Sequence, residues 1–266
     1  MVKHVKAKID FLKRIKPDIY LLSFNSSYIA RKANAGQFVH IKVDEKVTIL
    51  RRPFSIHKID RDKIYILFKV RGRGTKLLSQ YKKGHILDII GPLGNGFSFM
   101  PQTANRRPLI NILVAGGMGM APLVFLAKKL TEIRNPKSEI RNLVLLGTKN
   151  KREILAEQEF RRLGFDVRIT TDDGSRGFKG SVVDLLAKEL SAKRYPLNVN
   201  LYACGPKEMF SELAKVIKKY PKINCQVSFE QFMGCGLGVC CGCTIETKNG
   251  YKKVCKDGPV FNLKEI

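Results

Sequence analysis

The chain has 266 residues, enough for two compact domains or two and a small appendix, and 44% of them are hydrophobic, so each domain has a core to bury. Its formal net charge is +26, with Lys and Arg spread along the whole length. Nucleic acid, an anionic membrane surface or an acidic protein each suit such a charge, but the even spread favours a general lysine-rich background. The seven cysteines, an odd count with four between 235 and 243, exclude a secreted disulfide framework and suit a metal site in a reducing compartment.

The first twenty residues, MVKHVKAKIDFLKRIKPDIY, are basic but contain no apolar core and no cleavage site, so they do not read as a signal peptide. Residues 1–100 then alternate in the manner of strands: VKAKIDF, IYLLSF, QFVHIKV, PFSIHKI, KIYILFKV and HILDII. Gly, Pro and Asn punctuate them, as in GPLGNGF at 91–97, and only LLSQY after Thr75 reads as helix. Many short strands and few helices predict a closed antiparallel β-barrel over residues 1–102.

The polar stretch PQTANRR at 101–107 marks the first boundary, and the rhythm changes after it. Strand NILVA precedes a helix from Ala121 to about Arg134, and strand LVLLG a helix in KREILAEQEFRRL. Strand DVRIT precedes a helix in VVDLLAKEL, strand VNLYAC a helix in KEMFSELAKVIKKY, and INCQVSF is a last strand. This alternation predicts a parallel sheet covered by helices, an α/β domain over residues 103–223. The stretch LINILVAGGMGMAPLVFLA at 109–127 has nearly the length of a membrane span. Gly116, Gly117 and Gly119 at its centre and Pro122 after them make it a buried strand, a turn and a helix start instead. The chain is expected to be soluble and cytoplasmic, with no membrane and no nucleic acid among its partners. The remaining residues, 224–266, form a separate cluster-binding segment, of which 231–266 are too short and too rich in Cys and Gly to hold a core alone, so that a metal centre would substitute for one.

The cysteines there are spaced Cys235-x4-Cys240-x2-Cys243-x11-Cys255. The first three follow the spacing of plant-type [2Fe–2S] proteins, in which two irons share four thiolates. A loop that supplies three of them must wrap closely, and Gly234, Gly236, Gly238 and Gly242 permit it. Cys255 arrives on a predicted hairpin, TIETKNGYKKVC, with its turn at Asn249-Gly250. A four-cysteine zinc site is the alternative, but zinc favours paired C-x2-C knuckles and only one pair has that spacing. Cys241 reads as a spare thiol and Cys225 as a buried strand residue.

Three loops follow strands of the α/β domain. AGGMGMAP at 115–122 brings Gly116, Gly117 and Gly119 to a strand-to-helix turn, where backbone amides and a helix dipole receive a pyrophosphate. TTDDGSRG at 170–177 holds Asp172, Asp173 and Ser175, and ACGP at 203–206 holds Cys204, Gly205 and Pro206. Each alone is equally a turn or a strand end; together they line the rim where open α/β sheets bind ligands. In the barrel region, LRRPFS at 50–55 and RGRGT at 71–75 combine an arginine fork, an aromatic and a hydroxyl. These suit a flavin dinucleotide, although RRP is also a basic turn entering a strand.

Together these residues resemble the ferredoxin–NAD(P)H reductase superfamily, in which an FAD-binding barrel precedes a nicotinamide-binding domain. Arg52-Pro53-Phe54-Ser55 is similar to its R-x-Y-S flavin motif, with Phe54 in place of the usual tyrosine. The resemblance implies that Arg52 meets FAD phosphate, Phe54 packs on the flavin and Ser55 lies near N5. Leu67, Phe68, Lys69, Gly74 and Thr75 would supply the remaining FAD contacts. The segment SFEQFMGCGLGVCCGCTIE with YKKVCKDGPVF resembles the electron-transfer subunits of NAD-dependent dihydroorotate dehydrogenases, and this likeness spans essentially the whole chain. It implies [2Fe–2S] ligation by Cys235, Cys240, Cys243 and Cys255, with FAD and NAD as further cofactors. It also implies a separate FMN-bearing catalytic subunit, in a hetero-oligomer such as a heterotetramer, and a role in pyrimidine biosynthesis. No acid–base residue for dihydroorotate is then expected here. The related subunit of an NADH-dependent ferredoxin:NADP+ oxidoreductase or a sulfide dehydrogenase would share the architecture. Lys149, Lys151 and Arg152 after strand LVLLG suit a 2′-phosphate, although the family implies NAD.

Overall fold

The structure is a computed structural model and describes residues 2–44, 48–99, 109–132, 140–192 and 198–266. The chain forms two compact units, Met1–Gly96 with Gln231–Val260 and Phe97–Glu230 with Phe261–Ile266.

The first unit is built on β1 (Lys3–Lys16), β2 (Ile19–Asn25), α1 (Ser27–Lys32), β3 (Phe38–Lys42), β4 (Arg52–Ser55), β5 (Lys58–Asp60), β6 (Lys63–Lys69), α2 (Arg73–Leu78) and β7 (Ile86–Leu93). Its antiparallel sheet runs β4-β3-β7-β1-β2-β6-β5. β1 curls this sheet. Lys3–Lys8 pair with β7, and from Ile9 onward the strand pairs with β2, with ladder irregularities at Ile9/Phe11 and Arg14/Lys16. Such irregularities bend a strand and increase its twist. The result is a half-barrel whose ladder ends at β4 and β5, where the sequence predicted closure. Its core holds Ile9, Leu22, Phe24, Ile41, Ile64 and Ile66, each at most 1% exposed. Burial of each such side chain contributes about 1.5–3 kcal/mol. α1 escapes the strand pattern because a cap starts it: the Ser26 hydroxyl accepts from Ile29 N, and Ile29 is buried.

The second unit comprises β8 (Leu109–Gly116), α3 (Met120–Glu132), β9 (Ile140–Thr148), α4 (Glu157–Arg162), β10 (Asp166–Thr171), β11 (Phe178–Lys179), α5 (Val182–Ser191), β12 (Asn198–Cys204), α6 (Lys207–Ile217) and β13 (Asn224–Ser228). The stretch at 109–127 is thus strand, turn and helix, and no helix among the described residues is long and apolar enough to cross a membrane. The polar break at 101–107 and the helix end expected near Arg134 lie outside the described residues. The helix expected from Lys151 is two pieces: a single turn at Lys151–Glu153, then α4. Between them Ile154 and Leu155 drop into the core, each 6% exposed, and Ala156 turns the chain at φ 57°.

Among residues 231–260, which group with the barrel, β14 (Thr244–Thr247) and β15 (Gly250–Lys253) form a hairpin. Thr247 pairs with Gly250, so the turn residues are Lys248 and Asn249, one position before the predicted pair. Gly250 sits at φ 90° on the strand side of that turn. β16 (Val260–Asn262) then completes the second sheet, in the order β11-β10-β9-β8-β12-β13-β16. Every ladder of this sheet among β8 to β13 is parallel. One level of the sheet is a row of asparagines: Asn142, Asn111, Asn200 and Asn224 stand opposite one another on β9, β8, β12 and β13. Asn111 is 3% exposed; it donates to Asn142 at 2.9 Å and accepts from Asn200 at 3.5 Å, which satisfies amides that would otherwise be buried unpaired.

Candidate functional site

The hairpin brings Cys243 and Cys255 together although twelve positions separate them. Val254 N donates to Cys243 O at 3.1 Å and Cys255 N to Cys243 Sγ at 3.4 Å. Upstream, the glycine-rich turn curls around Cys235: Leu237 N, Val239 N and Cys240 N all donate to its sulfur, at 3.3, 3.4 and 3.4 Å. Gly238 N donates to Cys255 Sγ at 3.1 Å. The four thiols pair two and two, Cys235 hydrogen-bonded to Cys240 and Cys255 to Cys243. Burial raises the Cys235 thiol, but the amides of Cys240, Leu237 and Val239 outweigh it and bring its pKa down to about 6. Burial and the adjacent Cys243 push Cys255 up to about 12. Cys240 is exposed and Cys243 and Cys255 are buried, so the site reaches from the surface inward. Among the described residues no three His, Cys, Asp or Glu side chains close around one metal ion. Two thiol pairs with amides aimed at sulfur are the donor set that a binuclear iron–sulfur cluster requires. Cys241 is exposed at φ 58°, with its thiol turned to Val239 O.

Two barrel residues hold this loop. The Asn95 amide donates to Lys256 O at 3.1 Å and Asp257 O at 3.0 Å, just past Cys255. His40 on β3 is fully buried, its Nδ1 3.3 Å from Cys235 O. A carbonyl only accepts, so the proton sits on Nδ1. Nε2 has no hydrogen-bond partner among the described residues. Burial lowers the His40 pKa to about 4, so the ring is neutral near pH 7. Gly236 presses on this ring so closely that a Cβ there would overlap Nδ1. Sequence reasoning missed both residues: His40 is one inward position in FVHIKV and Asn95 one turn residue in GPLGNGF, and no pattern links either to a cysteine over 130 positions away.

On the same barrel, β3 pairs with β4, setting His40 opposite Pro53, Val39 opposite Phe54 and Phe38 opposite Ser55. Arg52 is brought to the α2 turn: a Cβ at Gly74 would lie 2.9 Å from its Nε. Gly74 therefore has no room for a side chain beside the guanidinium. Thr75 builds that turn, its Oγ1 accepting from Arg71 N at 2.9 Å and Gly72 N at 3.2 Å. Phe54 is 7% exposed and meets Phe68 edge-on at 5.6 Å, while Tyr20 stacks on Phe68 at 5.7 Å. Leu67 is buried, and Arg52, Pro53, Ser55 and Lys69 are half-buried. The structure thus joins the two barrel motifs at Arg52 and Gly74 and packs Phe54 on Phe68.

In the second unit the predicted loops leave the carboxyl ends of β8, β10 and β12. Gly116, Gly117 and Gly119 form the turn into α3, with Gly117 at φ 55°. Gly119 lies against the Cys204 carbonyl, and Gly116 faces Gly205, Pro206 and Met209. The two loops meet where neighbouring strands connect in opposite directions, β8 to β9 on one side and β12 on the other, the switch point of the sheet. Burial pushes the Cys204 thiol up, and Ser228 hydrogen-bonds it, so the backbone of Cys204, not its sulfur, faces the glycine turn. The third loop joins its neighbour: Asp172 N and Asp173 N donate to Thr148 O and Lys149 O at 3.1 and 3.2 Å. Ser175 Oγ accepts from Lys151 N at 2.8 Å. Hydrogen bonds from Ser175 hold the Asp173 carboxyl below the usual carboxylate range. The Asp173 and Ser175 side chains thus shape the loop, and all three of Asp172, Asp173 and Ser175 are exposed.

A family model described as the iron–sulfur cluster binding domain of dihydroorotate dehydrogenase B matches residues 230–266, and an oxidoreductase NAD-binding domain matches 113–215. The dihydroorotate dehydrogenase B (NAD(+)) electron transfer subunit of Desulforamulus reducens is 37% identical, over 98% of this chain and 97% of that one. The chain belongs to this family. The subunit of the same name from Caldanaerobacter subterraneus subsp. tengcongensis is 38% identical, over 98% of both chains. Among solved structures, the NADH-dependent reduced ferredoxin–NADP oxidoreductase superposes with a TM-score of 0.81 at 28% identity, covering 97% of this chain and 88% of that one. A ferredoxin NADP+ reductase from Neisseria gonorrhoeae gives 0.67 at 15% identity, covering 85% and 99%, and shares the fold. The chain is an oxidoreductase of the ferredoxin reductase fold, with an NAD-binding domain and an iron–sulfur binding segment.

Proposed function

We propose that this chain is the electron-transfer subunit of an NAD-dependent dihydroorotate dehydrogenase, cytoplasmic and acting in pyrimidine biosynthesis. A separate FMN-bearing catalytic subunit oxidises dihydroorotate to orotate, and this chain delivers the two electrons to NAD+. The observation that carries the proposal is the paired set of four thiols with amides aimed at their sulfurs, in a chain 37–38% identical to such subunits.

Cys235, Cys240, Cys243 and Cys255 would hold a [2Fe–2S] cluster. Arg52, Pro53, Phe54, Ser55, Leu67, Phe68, Lys69, Gly74 and Thr75 would hold FAD. Gly116, Gly117, Gly119, Asp172, Asp173, Ser175, Cys204, Gly205 and Pro206 would form the nicotinamide dinucleotide site. Bound there, these groups supply one-electron exchange, the change between one- and two-electron steps, and hydride acceptance. The protein's own part is to bind, orient and shield. The Arg52 guanidinium offers a fork for phosphate. Gly116 and Gly119, without Cβ atoms, let the turn after β8 pack on the Cys204–Pro206 loop, and that turn would offer its backbone amides to a pyrophosphate. The loop amides stabilise anionic sulfur. Phe232, Leu237 and Val239, exposed at 91%, 46% and 79%, give the cluster loop an apolar rim suited to a docked catalytic partner.

A second reading, the homologous subunit of an NADH-dependent ferredoxin:NADP+ oxidoreductase, is favoured by the 0.81 TM-score. Its 28% identity falls below the 37–38% of the dihydroorotate dehydrogenase subunits. The purified chain tests the cofactor set that both readings require, and dihydroorotate-dependent NAD+ reduction with the catalytic subunit separates them. The purified chain should be brown-yellow, contain equimolar FAD with two irons and two sulfides, and oxidise NADH with an artificial acceptor. A colourless protein holding zinc would overturn both.

A further inference from the structure

Lys253 closes the hairpin strand β15 two positions before Cys255, and its side chain does not simply extend into solvent. Its Nζ donates to Gly238 O at 2.9 Å, while its backbone N–H goes to Asp257 Oδ2 at 2.7 Å. The Gly238 carbonyl belongs to the same peptide group as Val239 N, and Val239 N donates to Cys235 Sγ at 3.4 Å. The other amide of this residue, Gly238 N, donates to Cys255 Sγ at 3.1 Å. The two peptide groups that flank the Gly238 Cα therefore give one hydrogen each to two of the four sulfurs, Gly238 N–H to Cys255 and Val239 N–H to Cys235, while the Gly238 oxygen accepts from an ammonium. The contact is half-buried, and a Cβ at Gly238 would stand 2.9 Å from Lys256 Cδ, so a second lysine stem lies beside the same backbone.

We propose that Lys253 tunes the iron–sulfur centre by polarising the 238–239 peptide. A cation on the carbonyl oxygen draws electron density through the conjugated amide and makes the Val239 N–H a stronger donor to Cys235 sulfur. Stronger hydrogen bonds to ligand sulfur, and a positive charge beside the cluster, both favour the reduced, more negative state and raise the reduction potential. Lys253 thus sets how readily the centre accepts an electron while touching no ligand itself. It is a positioning and electrostatic residue. This inference rests on the cluster assignment made above.

The test uses the full chain with FAD and cluster, titrated reductively and followed by the EPR signal of the reduced cluster. Lys253→Met should lower the potential by roughly 59 mV, a tenfold loss in the one-electron equilibrium constant. Lys253→Gln, which keeps a donor without the charge, should fall between Met and wild type, and Lys253→Arg should stay near wild type. Lys252→Met is the control for charge alone, since alternation along β15 turns that side chain to the other face. Its shift should be small. An unchanged potential in Lys253→Met with its cluster intact would overturn the inference, as would an equal shift in Lys252→Met. Loss of the cluster from both Lys253→Met and Lys253→Gln but not Lys253→Arg would overturn it too, and would make Lys253 an assembly residue. A wild-type chain without an iron–sulfur signal would instead sink the cluster assignment.

Discussion

Gly119 and Cys204 touch through backbone: the Gly119 Cα faces the Cys204 carbonyl with no space for a Cβ. This contact holds the glycine turn after β8 against the ACGP loop after β12, at the switch point of the sheet. Gly119→Ala must push the two loops apart. It should raise the KM for NADH about tenfold or more in the artificial-acceptor assay, ~1.4 kcal/mol of lost binding. FAD and cluster content should stay at wild-type levels. Unchanged NADH kinetics would show that nicotinamide does not depend on this contact.

Arg52 is predicted to anchor FAD. Its side chain is half-buried, donates to Leu50 O at 2.6 Å, and is pressed by Gly74. Arg52→Ala should weaken FAD by about 2–5 kcal/mol, the cost of losing one side of a buried charged contact. Dilution and gel filtration should strip the flavin from the variant. Full retention would place the phosphate anchor elsewhere.

Single Cys→Ser changes at Cys235, Cys240, Cys243 and Cys255 should each abolish the cluster and leave FAD in place. Cys241→Ser should keep both, because that thiol is turned to Val239 O and its position breaks the C-x4-C-x2-C spacing. Iron and sulfide analysis decides the matter. A cluster that survives Cys240→Ser but not Cys241→Ser would reassign the second ligand.

The asparagine row predicts a stability effect remote from the chemistry. Asn111→Ala leaves the amides of Asn142 and Asn200 without their central partner. It should cost about 1–3 kcal/mol, read as a lower Tm. NADH oxidation at 25 °C should be unaffected. An unchanged Tm would mean that water replaces the lost bonds.

The parts of the site that rest on local spacing were legible in the sequence. Cys235-x4-Cys240-x2-Cys243, the glycines between β8 and α3, and the strand–helix alternation are short-range patterns with direct physical causes. What escaped depends on contacts between distant positions. His40 and Asn95 meet the cysteine loop only because the chain returns to the barrel after β13. Lys253 is one lysine among many until its reach to Gly238 is seen. α1 was hidden because it is a single capped turn or two inside a strand-rich region, and β11 and β16 because two or three residues carry no period. The hairpin turn was misplaced by one because Asn-Gly favours the two central turn positions, whereas Gly250 serves at the first paired position.

Dihydroorotate-dependent reduction of NAD+, measured at 340 nm with each component omitted in turn, tests the electron-transfer role most directly. Turnover is expected only when this chain, with FAD and cluster, is combined with the FMN-bearing catalytic subunit, and none from this chain alone or from its Cys→Ser ligand variants. Dihydroorotate oxidation by this chain alone would place the substrate site here and contradict the account. So would inactivity with the cognate subunit beside turnover with reduced ferredoxin and NADP+.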